Sequence, residues 1–69
     1  VSVTMRQLSD GTIRVSLRSE CDFNVADVAA CFGGGGHVRA AGCSLDGEPA
    51  EAIERIVSVI SDKWNETEK

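Results

Sequence analysis

The sequence predicts a small α+β domain, in which two helices pack on one face of a small sheet in the order β-β-α-loop-β-α. Two patterns carry this prediction. Apolar and polar residues alternate over residues 1–8 and 12–18, and apolar residues recur with helical spacing over 25–32 and 49–64. The 69 residues allow a single domain, 1–69, close to the lower size limit for a chain that folds on one core.

The first two strands are predicted to form a β-hairpin. A two-residue Asp10-Gly11 loop would set Met5 opposite Ser16, and the apolar faces of the two strands would disagree. A three-residue Ser9-Asp10-Gly11 loop with a left-handed glycine sets Met5 opposite Val15, so we prefer it. The polar residues that then share the opposite face include Arg6, Arg14 and Arg18.

Each helix is predicted to carry one apolar face. The first begins after Asn24, a residue type that caps helix N-termini, and ends at Gly33, which suits a left-handed C-cap. The second begins at Pro49. A third strand is predicted over residues 41–45, and the stretch before it is predicted to be a loop. The helix residues expected in the core are Val25, Val28, Ala29 and Phe32, and then Ile53, Ile56, Val57, Ile60 and Trp64.

The net charge of −4 comes from the last third of the chain. Residues 1–43 contain four basic and four acidic side chains, whereas residues 44–69 contain three basic and seven acidic ones. This distribution argues against nonspecific attraction to duplex nucleic acid but allows an anionic ligand near the arginines. The three scattered cysteines suggest a reducing, cytoplasmic setting, and no apolar run is long enough to span a membrane.

The stretch FGGGGHVRAAG, residues 32–42, places four glycines beside the single histidine. Glycines let backbone N–H groups surround an anion, His37 can donate to a phosphate oxygen, and Arg39 can pair with one bidentately. The alternative is a structural loop in which the glycines permit close packing, and residue chemistry leaves both open. Cys31, His37 and Cys43 lack the close ligand pairs of a zinc site, so no metal site is predicted in this chain.

The order of these residues, after a short helix and a strand that ends in SLRS, resembles the C-terminal DHH-associated domain of the DHH-family phosphoesterases. In that family a Gly-Gly-Gly-His stretch followed by Ala-Ala-Gly is the motif of the substrate-binding lobe. The resemblance covers about residues 11 to 64 and favours ligand binding over the structural loop. Many relatives have Arg-Asn directly after the histidine, where this chain has Val38-Arg39, so the role of Arg39 is less secure than that of His37.

The resemblance implies that this chain is a C-terminal fragment of a larger enzyme. Family members pair an N-terminal DHH domain, which holds Mn²⁺, with this lobe across a cleft, and a metal-activated water cleaves a phosphate ester. The lobe alone is expected to bind substrate without catalysis, because one histidine cannot hold the metals. The implied binding residues are Gly33, Gly34, Gly35, Gly36, His37, Ala40, Ala41, Gly42, Arg18 and Ser19, with Arg39 added for its chemistry.

The Val-Arg-Ala-Ala-Gly-Cys variant looks most like the NrnA-type branch of oligoribonucleases and phosphatases of 3′-phosphoadenosine-5′-phosphate (pAp). The expected partners are short single-stranded RNA or DNA, pAp and the DHH domain, and a homodimer through the full protein stays open. A cyclic-dinucleotide phosphodiesterase, a RecJ-like exonuclease and a noncatalytic nucleotide-binding module remain alternatives. Among the hairpin arginines, Arg18 is expected to contact the ligand, whereas Arg6 and Arg14 are expected to line a solvated sheet face.

Overall fold

The computed structural model describes residues 1–67 and confirms an α+β domain with both helices on one face of the sheet. The sheet is antiparallel throughout, in the strand order β1-β2-β4-β3. Of the predicted domain 1–69, residues 68 and 69 lie outside the described part. In chain order the elements are strand β1 (Ser2–Gln7), strand β2 (Ile13–Arg18), helix α1 (Val25–Ala30), strand β3 (Gly35–His37), strand β4 (Ala40–Leu45) and helix α2 (Pro49–Thr67).

The hairpin of β1 and β2 has the predicted register. Met5 lies opposite Val15, and Gly11 adopts the expected left-handed conformation with φ of +90°. The backbone N–H of Leu8 donates to the carbonyl oxygen of Thr12 at 2.7 Å and closes the three-residue loop. Because this register follows the alternation of apolar residues, every second side chain of β2 is buried.

The core lies between the inner face of the sheet and the two helices. Helix α1 begins as predicted, because the Asn24 side-chain oxygen accepts a hydrogen bond from the N–H of Asp27 at 3.2 Å. Its three buried residues join the buried side chains of β2 and β4 in one core. The buried apolar residues are Ile13, Val15, Leu17, Phe23, Val25, Val28, Ala29, Cys43, Leu45, Ala52 and Ile56.

Helix α2 turns to the core a face that is shifted from the predicted one but shares Ile56 and Ile60 with it. Ala52 and Ile56 are buried, and Val59 and Ile60 pack partly against the core. The helix has 19 residues and is about 28 Å long, more than the short α1 and the narrow sheet can cover. A narrow line of α2 side chains reaches the core, and the rest of the predicted apolar stripe stays exposed. The residues wrongly predicted for the core are Ile53 and Val57, which are 42% and 53% exposed. Trp64 is 40% exposed, but its ring centroid lies 5.4 Å from that of the buried Phe23.

The stretch predicted to be a loop contains a strand, β3, at the edge of the sheet. Gly35–His37 pairs with β4 across a two-residue Val38-Arg39 turn. Glycine is depleted in strands, so the sequence pattern does not predict one here. The strand forms because a glycine backbone can approach β4 more closely than a side chain would permit.

Two of the four glycines are required by this close approach. A Cβ atom at Gly34 would overlap the carbonyl oxygen of Gly42. A Cβ atom at Gly36 would lie 2.6 Å from the Cα of Ala41, and the φ of Gly36 is +148°. Gly35 differs from both, because a Cβ atom there would meet nothing within 4 Å and its φ is not in the left-handed region.

Gly33 ends helix α1 in the predicted left-handed conformation, with φ of +80°. Its N–H donates to the carbonyl oxygen of Ala30 at 3.1 Å, and the N–H of Gly34 donates to that of Ala29 at 2.9 Å. These are the two hydrogen bonds of a Schellman motif, and they satisfy carbonyl groups that the end of a helix leaves unpaired. The chain then enters β3 directly.

We expect Gly34→Ala and Gly36→Ala each to lower the free energy of unfolding by about 2–3 kcal/mol, the range for overpacked or strained sites. Gly35→Ala is the matched control and should change it by less than about 0.5 kcal/mol. Urea unfolding followed by circular dichroism measures all three variants. Equal stability of the three would contradict the close approach of β3 to β4.

Candidate functional site

Arg18 and His37 lie in one cross-strand row on the outer face of the sheet, the face away from the helices. Arg18 pairs with Ala40, and Ala40 pairs with His37, so the row crosses β2, β4 and β3. Residues directly opposite each other in antiparallel strands project to the same face. Since neighbouring strands lie about 4.8 Å apart, the backbones of Arg18 and His37 are about 10 Å apart.

The row can grip an anion from two sides. Both end residues are exposed, and neither side chain makes a hydrogen bond or ion pair with another of residues 1–67. The guanidinium of Arg18 presents five N–H donors, and the imidazole of His37 offers at least one. Ala40 keeps the surface between them low. Such donors form charge-assisted hydrogen bonds with phosphate oxygens.

Next to the row, an open depression of about 470 Å³ lies where the glycine run meets β4, a size typical of small-molecule sites. Its position follows from the register, which sets Arg14 opposite Ser44 and Gly42 opposite Gly35. Arg14 thus borders the candidate site, although the sequence suggested only a solvated role. The lining residues are Arg14, Phe32, Gly33, Gly34, Gly35, Gly42, Cys43 and Ser44.

The first two glycine N–H groups serve the fold. Those of Gly33 and Gly34 donate to the last carbonyls of α1, so neither is free to surround an anion. Strand β3 lies at the edge of the sheet, and an edge strand leaves one rim of backbone groups unpaired by any strand. The donors that remain for an anion are therefore those of this rim and the side chains of Arg18 and His37.

Arg39 and Ser19, both predicted site residues, hold the corner beside the row. The Nη2 of Arg39 donates to Oδ1 of Asp22 at 3.2 Å in an exposed ion pair, an interaction of little energetic weight. The carbonyl oxygen of Arg39 accepts from the N–H of Ser19 at 3.0 Å. Ser19 is buried, and its hydroxyl donates to the carbonyl oxygen of Cys21 at 3.1 Å. These contacts position the ends of β2 and the β3–β4 turn.

The remaining predicted residues, Ala40, Ala41 and Gly42, form the part of β4 that pairs with β3. Ala41 packs against the core, whereas Ala40 and Gly42 face outward. A Cβ atom at Gly42 would lie 3.1 Å from the carbonyl oxygen of Val15, closer than most side-chain contacts. The two outward positions give the outer face a floor of small residues between β2 and β3.

All three thiols are free, and two of them have altered acidity. The hydroxyl of Ser19, followed by a hydrogen bond from the backbone of Phe23, lowers the pKa of the exposed Cys21 thiol. Burial raises the pKa of the Cys43 thiol. In the first loop, hydrogen bonds from Thr12 lower the pKa of the Asp10 carboxyl group.

The donor set of this chain does not fit a catalytic metal centre. Within residues 1–67, no three His, Cys, Asp or Glu side chains lie close enough to share an ion. A divalent manganese ion takes several imidazole, carboxylate or water ligands, which His37 alone cannot replace.

No helix in the described part of the chain has the length and apolar character needed to cross a membrane.

The two altered thiols give a direct check of this corner. At near-neutral pH we expect Cys21 to react with iodoacetamide at least about tenfold faster than Cys43, because a lowered pKa gives more thiolate and Cys43 is buried. A Cys31→Ser background leaves these two thiols to compare by mass spectrometry of the labelled peptides. Equal rates in the folded chain, or a difference of the same size in urea, would contradict the described environments.

Known proteins resemble this chain over nearly its whole length. It is similar to the bifunctional oligoribonuclease and PAP phosphatase NrnA of Thermus thermophilus, with 38% identity over 64 residues that cover 91% of this chain and 19% of that protein. It is also similar to the oligoribonuclease NrnB of Bacillus subtilis, with 49% identity over 45 residues that cover 64% of this chain and 11% of that protein. The chain thus spans no more than about a fifth of these relatives.

The family follows from the match of the chain as a whole, together with the glycine-histidine motif on β3. The family model described as the DHHA1 domain matches residues 1–66. This chain belongs to the DHHA1 domain family.

Proposed function

We propose that this chain is the C-terminal, substrate-binding lobe of a longer manganese-dependent phosphoesterase that hydrolyses short oligonucleotides and pAp. Two relatives are named as oligoribonucleases, and one of them also as a PAP phosphatase. The observation in this chain that carries the proposal is the row of Arg18, Ala40 and His37 on the outer face of the sheet. It brings a guanidinium and an imidazole to either side of a small residue.

In this proposal a terminal phosphate of the substrate sits over Ala40. The Arg18 guanidinium pairs with two phosphate oxygens, and His37 donates to a third from the other side. The edge of β3 leaves backbone groups close to the same place. Gly35 leaves the space above the edge open, because nothing lies within 4 Å of where its Cβ atom would be.

The chemical step belongs to another part of the enzyme. Bound Mn²⁺ would supply an activated water, and the proposed partner that holds it is an N-terminal DHH domain. This chain would position the substrate, because it holds the phosphate in the orientation in which the water attacks. We expect the 69-residue chain alone to bind pAp without hydrolysing it, and its free thiols suit a cytoplasmic enzyme.

We expect His37→Ala and Arg18→Gln each to weaken the binding of pAp by about tenfold or more, because each removes hydrogen bonds to a charged group. Isothermal titration of the 69-residue chain measures the affinity. In the full-length enzyme the same changes should lower kcat/KM by a similar factor. Arg55→Gln is the control, since it removes the same charge from α2, on the other face of the sheet.

Circular dichroism of each variant checks that it is folded. A loss of affinity in Arg55→Gln as large as that in Arg18→Gln would show that net charge, and not the row, governs binding. Unchanged affinity and unchanged kcat/KM in both His37→Ala and Arg18→Gln would refute the proposal.

A further inference from the structure

The outer face of the sheet carries a positive charge that the net charge of −4 does not suggest. Arg6, Arg14 and Arg18 occupy exposed positions of β1 and β2 that project from this face. None of the three side chains makes a hydrogen bond or an ion pair with another of residues 1–67. The four strands contain no acidic residue, so every described carboxylate lies in a loop or a helix.

Two of these arginines, Arg6 and Arg14, also repel each other. Arg6 and Arg14 are directly opposite each other in the β1–β2 register. Like charges at paired positions of a sheet destabilise it, and here no carboxylate offsets them. An anion bound between or beside the two guanidinium groups would remove this cost.

The face is shaped to let a chain of anions lie along β4. The outward side chains of β4 are those of Ser44, Gly42 and Ala40, all small. Arg14 and Arg18 stand on one side of them along β2, four residues and therefore about 13 Å apart. The depression described above lies at the Arg14 end, and His37 lies at the Arg18 end.

We propose that the outer face binds the sugar-phosphate backbone of a single-stranded oligonucleotide, with Arg14 and Arg6 holding phosphates beyond the one held by Arg18 and His37. This inference rests on the proposed function and names its preferred substrate: a strand of several nucleotides rather than a mononucleotide. The backbones of Arg14 and Arg18 are roughly 13 Å apart, so a strand with several phosphates can contact both arginines at once.

Two features favour the binding of single-stranded nucleic acid, whatever its sequence. The floor is a single β-strand wide, and adjacent strands lie about 4.8 Å apart, so it suits one backbone and not the two of a duplex. None of the described strands contains Phe, Tyr or Trp, so the face offers no ring on which a base could stack. Binding that depends on phosphates alone is independent of sequence and weakens with salt.

The test compares ligands of different length on the intact 69-residue chain. The ligands are pAp and fluorescein-labelled oligouridylates of two and six nucleotides, measured by anisotropy, with pAp as a competitor. The variant is Arg6→Gln/Arg14→Gln, and Arg55→Gln/Lys63→Gln is the control that removes two positive charges from α2. Thermal unfolding checks both, and the first variant should be at least as stable as the parent chain because it relieves a like-charge pair.

We expect the parent chain to bind the hexanucleotide about tenfold more tightly than the dinucleotide, and the Arg6→Gln/Arg14→Gln variant to lose most of that gain. Its affinity for pAp should change less than twofold. The slope of log affinity against log salt for the hexanucleotide should become shallower by about 1.4, since each phosphate contact to a single strand contributes about 0.7. The control variant should keep both the gain and the slope.

The outcomes separate this inference from the proposed function. A hexanucleotide affinity that matches that of the dinucleotide, or that survives Arg6→Gln/Arg14→Gln, would overturn the inference while pAp binding at His37 still stood. Arginine-dependent binding of the hexanucleotide without any binding of pAp would support the inference and refute the proposed pAp site. No binding of any ligand would refute both.

Discussion

The close backbone contact between β3 and β4 sets the position of His37 relative to Arg18, and the candidate site depends on it. Gly34 and Gly36 approach β4 at distances that exclude a Cβ atom, and this approach brings His37 into pairing with Ala40. Two further backbone hydrogen bonds hold the β3–β4 hairpin in place. The N–H of Val25, at the start of α1, donates to the carbonyl oxygen of Val38, and the N–H of Ser19, just after β2, donates to that of Arg39. An edge strand of three residues is thereby held against its low propensity.

The glycine run consequently combines two kinds of requirement. Gly33 ends a helix, and Gly34 and Gly36 allow the close approach, so three of the four have a structural reason to be glycine. Gly35 has none, and it is the one that faces outward beside Gly42. In the proposed function, ligand binding and structural packing, which the residue chemistry leaves as alternatives, would be divided among neighbouring positions of one motif.

Local patterns predicted the parts of the fold that depend on local physics. Alternation fixed the register of Met5 against Val15, and Asn24 and Gly33 marked the ends of α1. The errors arise where distant contacts decide. Helix α2 has two adjacent apolar lines, and only packing against α1 selects the one through Ile56. Likewise the place of Arg14 beside the depression depends on its pairing with β4, which local sequence does not encode.

The most direct measurement for the central claim is a titration of the ¹⁵N-labelled 69-residue chain with pAp, followed through its backbone amide signals at moderate salt. If a phosphate is held between Arg18 and His37, the signals of Arg18 and of residues 35–42 should move together and saturate with one affinity. Those on the outer side of α2, around Val57, should stay in place. Saturable shifts confined to α2, or no shift at Arg18 and His37, would contradict the site.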